Sequence, residues 1–293
     1  MIRSDLRAIP GYVPGARHDD ALKLSSNEAT QPPLPEAAEA MARAAAEANR
    51  YPDIAATELR EDLAEHLGVS FDQVAVGTGS SALCQQLVQI TTTPGEEVIF
   101  PWRSFEAYPI FAQVVGARPI PVPLDADQRV DLAAMAEKIT ADTRLIFVCN
   151  PNNPSGTTVT KAEFAEFMDA VPSDVLVALD EAYIEYNRNA DTPLGTELFG
   201  TYPNVVFLRT FSKAYGLAGV RVGYAYGPED VIAALNKVAI PFSINAVAQA
   251  GARAALAAQD SLRERTEETC DQRQRVEKEL AEWGVPHSEA NHV

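Results

Sequence analysis

The sequence predicts an α/β fold: a three-layer sandwich with a mainly parallel sheet between helices, and the start of a smaller α/β domain at the C-terminal end. Three observations predict it. The apolar runs Val98-Ile-Phe100, Arg144 to Cys149, Val175 to Leu179 and Val205-Val-Phe-Leu208 are continuous, so they read as strands buried on both faces. Segments of helical period separate them, and alternation of strand and helix is the pattern of a parallel sheet. Glycines, a carboxylate and a lysine follow the apolar runs directly, at the strand ends where open α/β sheets hold ligands.

Composition bounds the possibilities. At 293 residues, with 46% hydrophobic and 22% charged residues, the chain has the make-up of a globular protein with a sizeable core. A net charge of −17, from 41 acids against 24 bases, argues against a nucleic-acid partner, which needs a basic face. The three cysteines, Cys84, Cys149 and Cys270, form no C-x-x-C pair. The four histidines do not cluster, so no metal site is expected, and a reducing cytoplasm fits. No apolar run is long enough to span a bilayer, and no membrane partner is expected.

In chain order, residues 1–30 read as an N-terminal arm, residues 31–255 as a large domain, and residues 256–293 as a long helix with the start of a small domain. Pro35 suits the first turn of an alanine-rich helix, Glu36 to Asn49. The turn Asn49-Arg-Tyr-Pro-Asp53 follows, and Thr57 begins a helix with Leu59, Leu63 and Leu67 on one face and Gly68 at its end. Val74-Ala-Val76 is a short strand before Gly77-Thr-Gly-Ser-Ser-Ala82 and a helix. Strand, glycine turn and helix N-terminus make an anion site, because free N–H groups and the helix dipole face it. The string also matches a dinucleotide fingerprint, but Glu96 and Glu97 stand at the wrong end of the next strand to serve a ribose. A phosphate site is the reading.

Pro101-Trp-Arg-Ser-Phe-Glu-Ala-Tyr108 leaves the Val98–Phe100 strand with aromatic rings at its C-terminal end, Phe105 reading as core packing. Ala117 to Leu124 is a further strand, Asp131–Ile139 a helix, Asn150-Pro-Asn-Asn-Pro-Ser-Gly156 a dense turn, and Lys161 to Val171 a helix. Asp180-Glu-Ala-Tyr183 ends the next strand, and a carboxylate there is costly unless partnered. The last buried strand delivers Lys213 among Thr210, Ser212, Gly216 and Gly219, with Arg221 eight residues on. A lysine in that setting is desolvated and near a second cation, which favours the neutral amine that attacks carbonyls. Anion cradle, amine, carboxylate and hydroxyl donors together suit pyridoxal 5′-phosphate (PLP).

The segments Gly77-Thr-Gly-Ser-Ser81, Asn150-Pro-Asn-Asn-Pro-Ser-Gly156, Asp180-Glu-Ala-Tyr183 and Thr210-Phe-Ser-Lys-Ala-Tyr-Gly-Leu-Ala-Gly-Val-Arg221 resemble the fold-type-I PLP-dependent aminotransferases, in the histidinol-phosphate aminotransferase branch. With Tyr12-Val-Pro-Gly15, Leu24-Ser-Ser-Asn-Glu28 and Asn49-Arg-Tyr-Pro-Asp53 the resemblance covers nearly the whole chain. Pro101-Trp-Arg-Ser-Phe-Glu-Ala-Tyr-Pro109 is most similar to the actinobacterial aromatic aminotransferases of that branch.

The resemblance implies roles. Lys213 would bond the cofactor and carry the proton shift. Asp180 would hold the ring nitrogen protonated, Asn153 and Tyr183 would bind the ring oxygen, and Tyr108 would stack on the ring. Ser80, Ser81, Thr210, Ser212 and Arg221 would hold the phosphate. Tyr51 would reach the phosphate in a partner subunit of a homodimer with shared sites, and Tyr12 and Asn27 would meet substrate. Ala82 stands where relatives carry a carboxylate, a departure expected to matter little. The implied reaction is transamination of phenylalanine or tyrosine with 2-oxoglutarate, with histidinol phosphate as the alternative donor and a non-catalytic binding module as the alternative of another class. The family's substrate-carboxylate arginine is expected after Val293, since Asn291-His-Val293 resembles the beginning of the first small-domain strand.

Overall fold

The computed structural model describes residues 2–9, 20–21 and 25–293. Seven strands form one sheet: β1 Val74–Gly77, β2 Glu97–Trp102, β3 Arg118–Pro123, β4 Thr143–Cys149, β5 Leu176–Asp180, β6 Val205–Thr210 and β7 Gly223–Tyr226. Ten α-helices are described: α1 Pro35–Ala45, α2 Thr57–Leu67, α3 Ser80–Thr91, α4 Tyr108–Val115, α5 Leu132–Glu137, α6 Lys161–Ala170, α7 Gly195–Leu198, α8 Glu229–Val238, α9 Ala246–Ala257 and α10 Gln259–Glu279. The strand order is β1-β7-β6-β5-β4-β2-β3. β3, β2, β4, β5 and β6 run parallel, and β7 lies antiparallel between β6 and β1. The expected sheet is therefore found, with one strand the sequence reading leaves out. β7 is only Gly-Tyr-Ala-Tyr, and it follows a glycine-rich loop that masks its onset.

Alternation of side chains along each strand builds two cores. Val98, Phe100, Leu145, Phe147, Ala178, Val206 and Leu208 face α3, α4 and α8. Ile99, Ile146, Val148, Val177, Leu179, Val205 and Phe207 face the opposite layer, with α2, α6 and α9. Both faces are thus dry, which is why the strands read as unbroken apolar runs. Each such leucine or phenylalanine contributes roughly 1.5–3 kcal/mol by its burial. α6 begins where expected because Thr160 accepts from Glu163 N–H and the Glu163 carboxylate accepts from Thr160 N–H. Asp131 and Asn245 cap α5 and α9 in the same way with one bond each.

The long C-terminal helix is found as α10, followed by a single turn at Ala281–Trp283. Residues 284–293 differ from expectation, since they pair with no strand among the described residues. Their backbone groups are taken up elsewhere: Glu289 N–H donates to Gly156 O at 2.7 Å, and Ala290 O accepts from Arg273 Nη1 at 2.9 Å. Glu289 in turn accepts from Arg188 N–H at 2.6 Å. The segment is therefore tied to the Asn150–Gly156 turn and ends against the strand tips. Among the described residues no helix is long and apolar enough to cross a membrane.

Candidate active site

Four strand ends open on a cavity of about 160 Å³. β1 leads through Gly77 into α3, which brings Ser80 and Ser81. β4 ends at Cys149 and continues to Asn153. β5 ends at Asp180, followed by Ala182 and Tyr183. β6 ends at Thr210, followed by Ser212, Lys213 and the loop to Arg221. All of these line the cavity, and Phe105 completes its wall. The parallel register makes this possible, since Cys149 stands beside Asp180 and Asp180 beside Leu208.

One pole of the cavity suits an anion. Arg221 Nη1 donates to Ser212 Oγ at 3.2 Å and to Ala218 O at 2.8 Å, and Nη2 reaches Ser81 Oγ at 3.4 Å. Among the described residues no side chain caps α3, so its first N–H groups remain available beside the guanidinium. The close approach needs glycine. Gly79 has φ +78°, and a Cβ there would stand 2.3 Å from Arg221 Nη2. A Cβ on Gly223 would stand 2.4 Å from Ser80 N.

The other pole is acidic. Asp180 is buried, and its donors are Tyr108 Oη at 2.7 Å and Ala182 N–H at 3.2 Å, both neutral. Burial pushes its carboxyl up to about 6, against the opposing pull of those two hydrogen bonds. The adjoining Glu181 anchors the loop: Arg209 Nε donates to it at 2.8 Å, Tyr226 Oη at 3.0 Å and Gly195 N–H at 2.7 Å.

Lys213 Nζ donates to Asn27 O at 2.9 Å and to Ser26 O at 3.5 Å. Burial, and then the charge of Arg221, push its ammonium below the ordinary lysine range. Asn27 Nδ2 donates to Tyr183 Oη at 3.2 Å and to Asn291 Oδ1 at 2.9 Å, and lies 2.9 Å from His292 Nδ1. Burial, and then the charge of Lys213, lower His292 to about 4, so its ring is neutral at pH 7. Burial raises the Tyr183 phenol, so its hydroxyl keeps its proton. Because Asn27 already donates to the Tyr183 oxygen, the Tyr183 proton is left for another acceptor.

Ser80, Ser81, Asn153, Asp180, Tyr183, Thr210, Ser212, Lys213 and Arg221 thus converge as the sequence reading expected. Tyr108 does not fit the stacking role. Its ring is buried behind the cavity, stacked on Phe147 at 4.3 Å, and only its hydroxyl is directed at the site. Phe105, read as packing, takes a place on the wall with its ring edge-on to Tyr108 at 5.4 Å. The misassignment has a simple origin: three residues on, the chain has entered α4, and that turn carries Tyr108 into the core. Tyr51 does not line this chain's cavity. It is 82% exposed, with its ring 4.7 Å from Phe242. Tyr12 lies outside the described residues. Cys149, Ala182 and His292 are contributors that sequence reasoning missed. Cys149 was signalled by its place as the last residue of a buried strand, and His292 by nothing local.

The cavity accepts a small ring with an anionic group at the Arg221 end, a basic nitrogen at Asp180 and a carbonyl within reach of Lys213. PLP has these features. A buried carboxylate whose donors among the described residues are neutral fits a cationic ring nitrogen, and a glycine-lined cradle of hydroxyls with an arginine fits its phosphate.

A parallel sheet with an anion cradle, a buried carboxylate and a desolvated lysine at its strand ends defines a class, that of the aminotransferase fold. The chain belongs to the family "Aminotransferase class I and II", whose model matches residues 19–293. It is 65% identical over 293 residues to the aromatic amino acid aminotransferase of Corynebacterium diphtheriae, covering 100% of this chain and 84% of the relative. It is 58% identical over 294 residues to the protein of the same description from Rhodococcus jostii, covering 99% and 81%. Among solved structures, histidinol-phosphate aminotransferase from Sinorhizobium meliloti in complex with pyridoxal-5′-phosphate superposes with a TM-score of 0.84 at 32% identity, over 90% of this chain and 72% of that one. A Thermus thermophilus aspartate aminotransferase double mutant superposes with a TM-score of 0.79 at 26% identity, over 88% and 71%.

Proposed function

We propose that this chain is a PLP-dependent aminotransferase that moves the amino group of phenylalanine or tyrosine to 2-oxoglutarate, or the reverse. The observation that carries the reading is the meeting of Lys213, Asp180 and the Ser80–Ser81–Arg221 cradle on one cavity, in a chain 65% identical to a relative described as acting on aromatic amino acids. When bound, PLP supplies an electron sink for the bond broken at the amino acid's α-carbon.

The protein's own groups do the rest. Arg221, Ser80, Ser81, Thr210 and Ser212 would hold the phosphate. Asp180 would accept the ring N–H. Tyr183 would donate to the ring oxygen, and Asn153 lines the same cavity. Lys213, pushed toward its neutral form, is the amine that would hold the cofactor's carbonyl carbon, and its Nζ would take and return a proton at the α-carbon as general base and acid. Asn27 stands at the substrate side, between Lys213 and Tyr183. The three buried, free cysteines agree with a reducing, cytoplasmic setting.

Substrate choice is tested by kcat/KM for phenylalanine, tyrosine and histidinol phosphate with 2-oxoglutarate. Both aromatic amino acids are expected to exceed histidinol phosphate by at least about tenfold, since one apolar pocket contact is worth 10–200-fold. A preference for histidinol phosphate would return the chain to the activity named for its structural neighbour.

The working unit we propose is a homodimer that shares its sites. Tyr51, Ile54, Ile240 and Phe242 are exposed apolar residues, 82%, 61%, 73% and 40% accessible, and a patch of this kind suits a self-complementary interface. The Tyr51 turn is held in place by Gln249 Nε2 donating to Asp53 O at 2.9 Å. Tyr51→Ala subunits mixed with Lys213→Ala subunits are expected to regain activity, because one site per heterodimer would then carry both residues. Activity no higher than in either parent would exclude the shared site.

A further inference from the structure

We propose that Tyr108 is a positioning residue for Asp180, a fixed hydroxyl donor that keeps the carboxylate ionised and presents its remaining lone pairs to the cavity. The geometry is specific. Tyr108 Oη donates to Asp180 Oδ2 at 2.7 Å, while Oδ1 takes Ala182 N–H at 3.2 Å. Each oxygen therefore has one donor on the protein side, and Asp180 still lines the cavity. The Tyr108 ring cannot turn away. It is 0% exposed, stacked on Phe147 at 4.3 Å and 11°, and flanked by Phe100 at 6.1 Å and Phe105 at 5.4 Å.

A donor is needed because the setting opposes the charge. Burial disfavours the Asp180 anion, and Glu181 adds like charge, while Lys213 favours it from the cavity side. The remaining titratable neighbours are neutral at pH 7. Burial raises the Cys84 thiol well above its usual range and the Cys149 thiol to about 12, and it raises the phenols of Tyr183 and Tyr108 itself. Tyr108 therefore stays protonated wherever Asp180 titrates, so it acts as a donor throughout and never takes the proton. A hydrogen bond to a charged group is stronger than one between neutral groups, and a rigid ring donates it without reorganisation.

The substitution that isolates the hydroxyl is Tyr108→Phe, which keeps the stack on Phe147 and changes volume little. The first measurement uses the protein without cofactor: infrared titration of the carboxylic-acid band that disappears in Asp180→Asn. Losing the donor disfavours the anion, so the midpoint moves up. The expected change is about one pH unit, a tenfold rise in proton affinity. The second is equilibrium binding of PLP, which rests on the cofactor reading above. Tyr108→Phe is expected to bind about twofold more weakly at pH 7, with the gap widening toward about tenfold below both midpoints and closing above them, where either protein is ionised. A purely structural role would lower Tm without moving the midpoint or making the affinity gap pH-dependent. An unmoved midpoint overturns the proposal whatever happens to Tm. A moved midpoint with unchanged PLP affinity at pH 5, below both midpoints, overturns the link to the cofactor site. Failure of the unsubstituted protein to bind PLP would count against the cofactor reading alone, because the first titration does not involve it.

Discussion

Lys213→Ala is expected to lower the rate of transamination by about 10²–10⁴-fold or more, since in the proposed function Lys213 would be both the cofactor's attachment and the group that moves the proton. The fold should survive. Lys213 is held by two carbonyls of the arm, Asn27 O and Ser26 O, and not by packing in either core. Removing a partly buried ammonium also relieves a desolvation cost, so Tm is expected to stay level or rise. Arg221 remains in the variant and would, on the proposed reading, still hold the phosphate end, so PLP should bind, reversibly. Added methylamine should recover part of the rate, because it restores an amine to the space the side chain vacates. Turnover close to that of the unsubstituted protein would remove Lys213 from the mechanism. Lost activity accompanied by loss of the folded state would mean that the substitution tests the fold and not the amine.

Legibility in the sequence followed burial. The parallel strands are dry on both faces, so they stand out as apolar runs, and two site residues lie close behind them: Asp180 as the last residue of β5, Lys213 three beyond β6. β7 was hidden because four residues of alternating tyrosine with glycine and alanine carry no such run, and its place beside β6 depends on pairing Tyr226 with Phe207 and Gly223 with Thr210 across the sheet. The Tyr108 and Phe105 roles were exchanged for a different reason. Both are aromatic and both follow β2, and only the helical turn that starts at Tyr108 decides which ring faces in and which faces the cavity. Long-range links were the least legible. Nothing near Asn27 in sequence announces that its amide meets Tyr183, Asn291 and His292, separated from it by 156, 264 and 265 positions. Such contacts follow from the sheet topology and from the path of residues 284–293, neither of which has a local signature.

Asp180→Asn is the substitution expected to act on the electron sink alone. Asparagine keeps the shape of the side chain, and its oxygen can still accept from Ala182 N–H or the Tyr108 hydroxyl, so packing around β5 should hold. What is lost is charge. The carboxylate is buried with neutral donors, and burial already raises it to about 6, so in the free protein at pH 7 it is ionised but close to its midpoint. A cationic ring nitrogen would lower that midpoint by the opposite-charge effect and be held protonated in return. The amide offers no such return, so the ring would lose its proton and accept electrons poorly. Truncating one partner of a buried charge pair costs about 3–5 kcal/mol, which corresponds to a loss of roughly 10²–10³-fold or more in the proton-abstraction step. PLP should still bind through Arg221 and the serines, with weaker affinity. The pH profiles carry the discriminating sign. The unsubstituted protein should lose PLP affinity as pH falls through the Asp180 midpoint, because the protonated acid cannot pair with the ring, whereas Asp180→Asn has no group to titrate there and should lack that step, keeping only the dependence on the cofactor's own phosphate that both proteins share. Stopped-flow measurement of α-proton abstraction checks the magnitude and equilibrium binding from pH 5 to 8 checks the slope. A proton-abstraction rate unchanged by Asp180→Asn would show that the carboxylate does not serve the ring nitrogen.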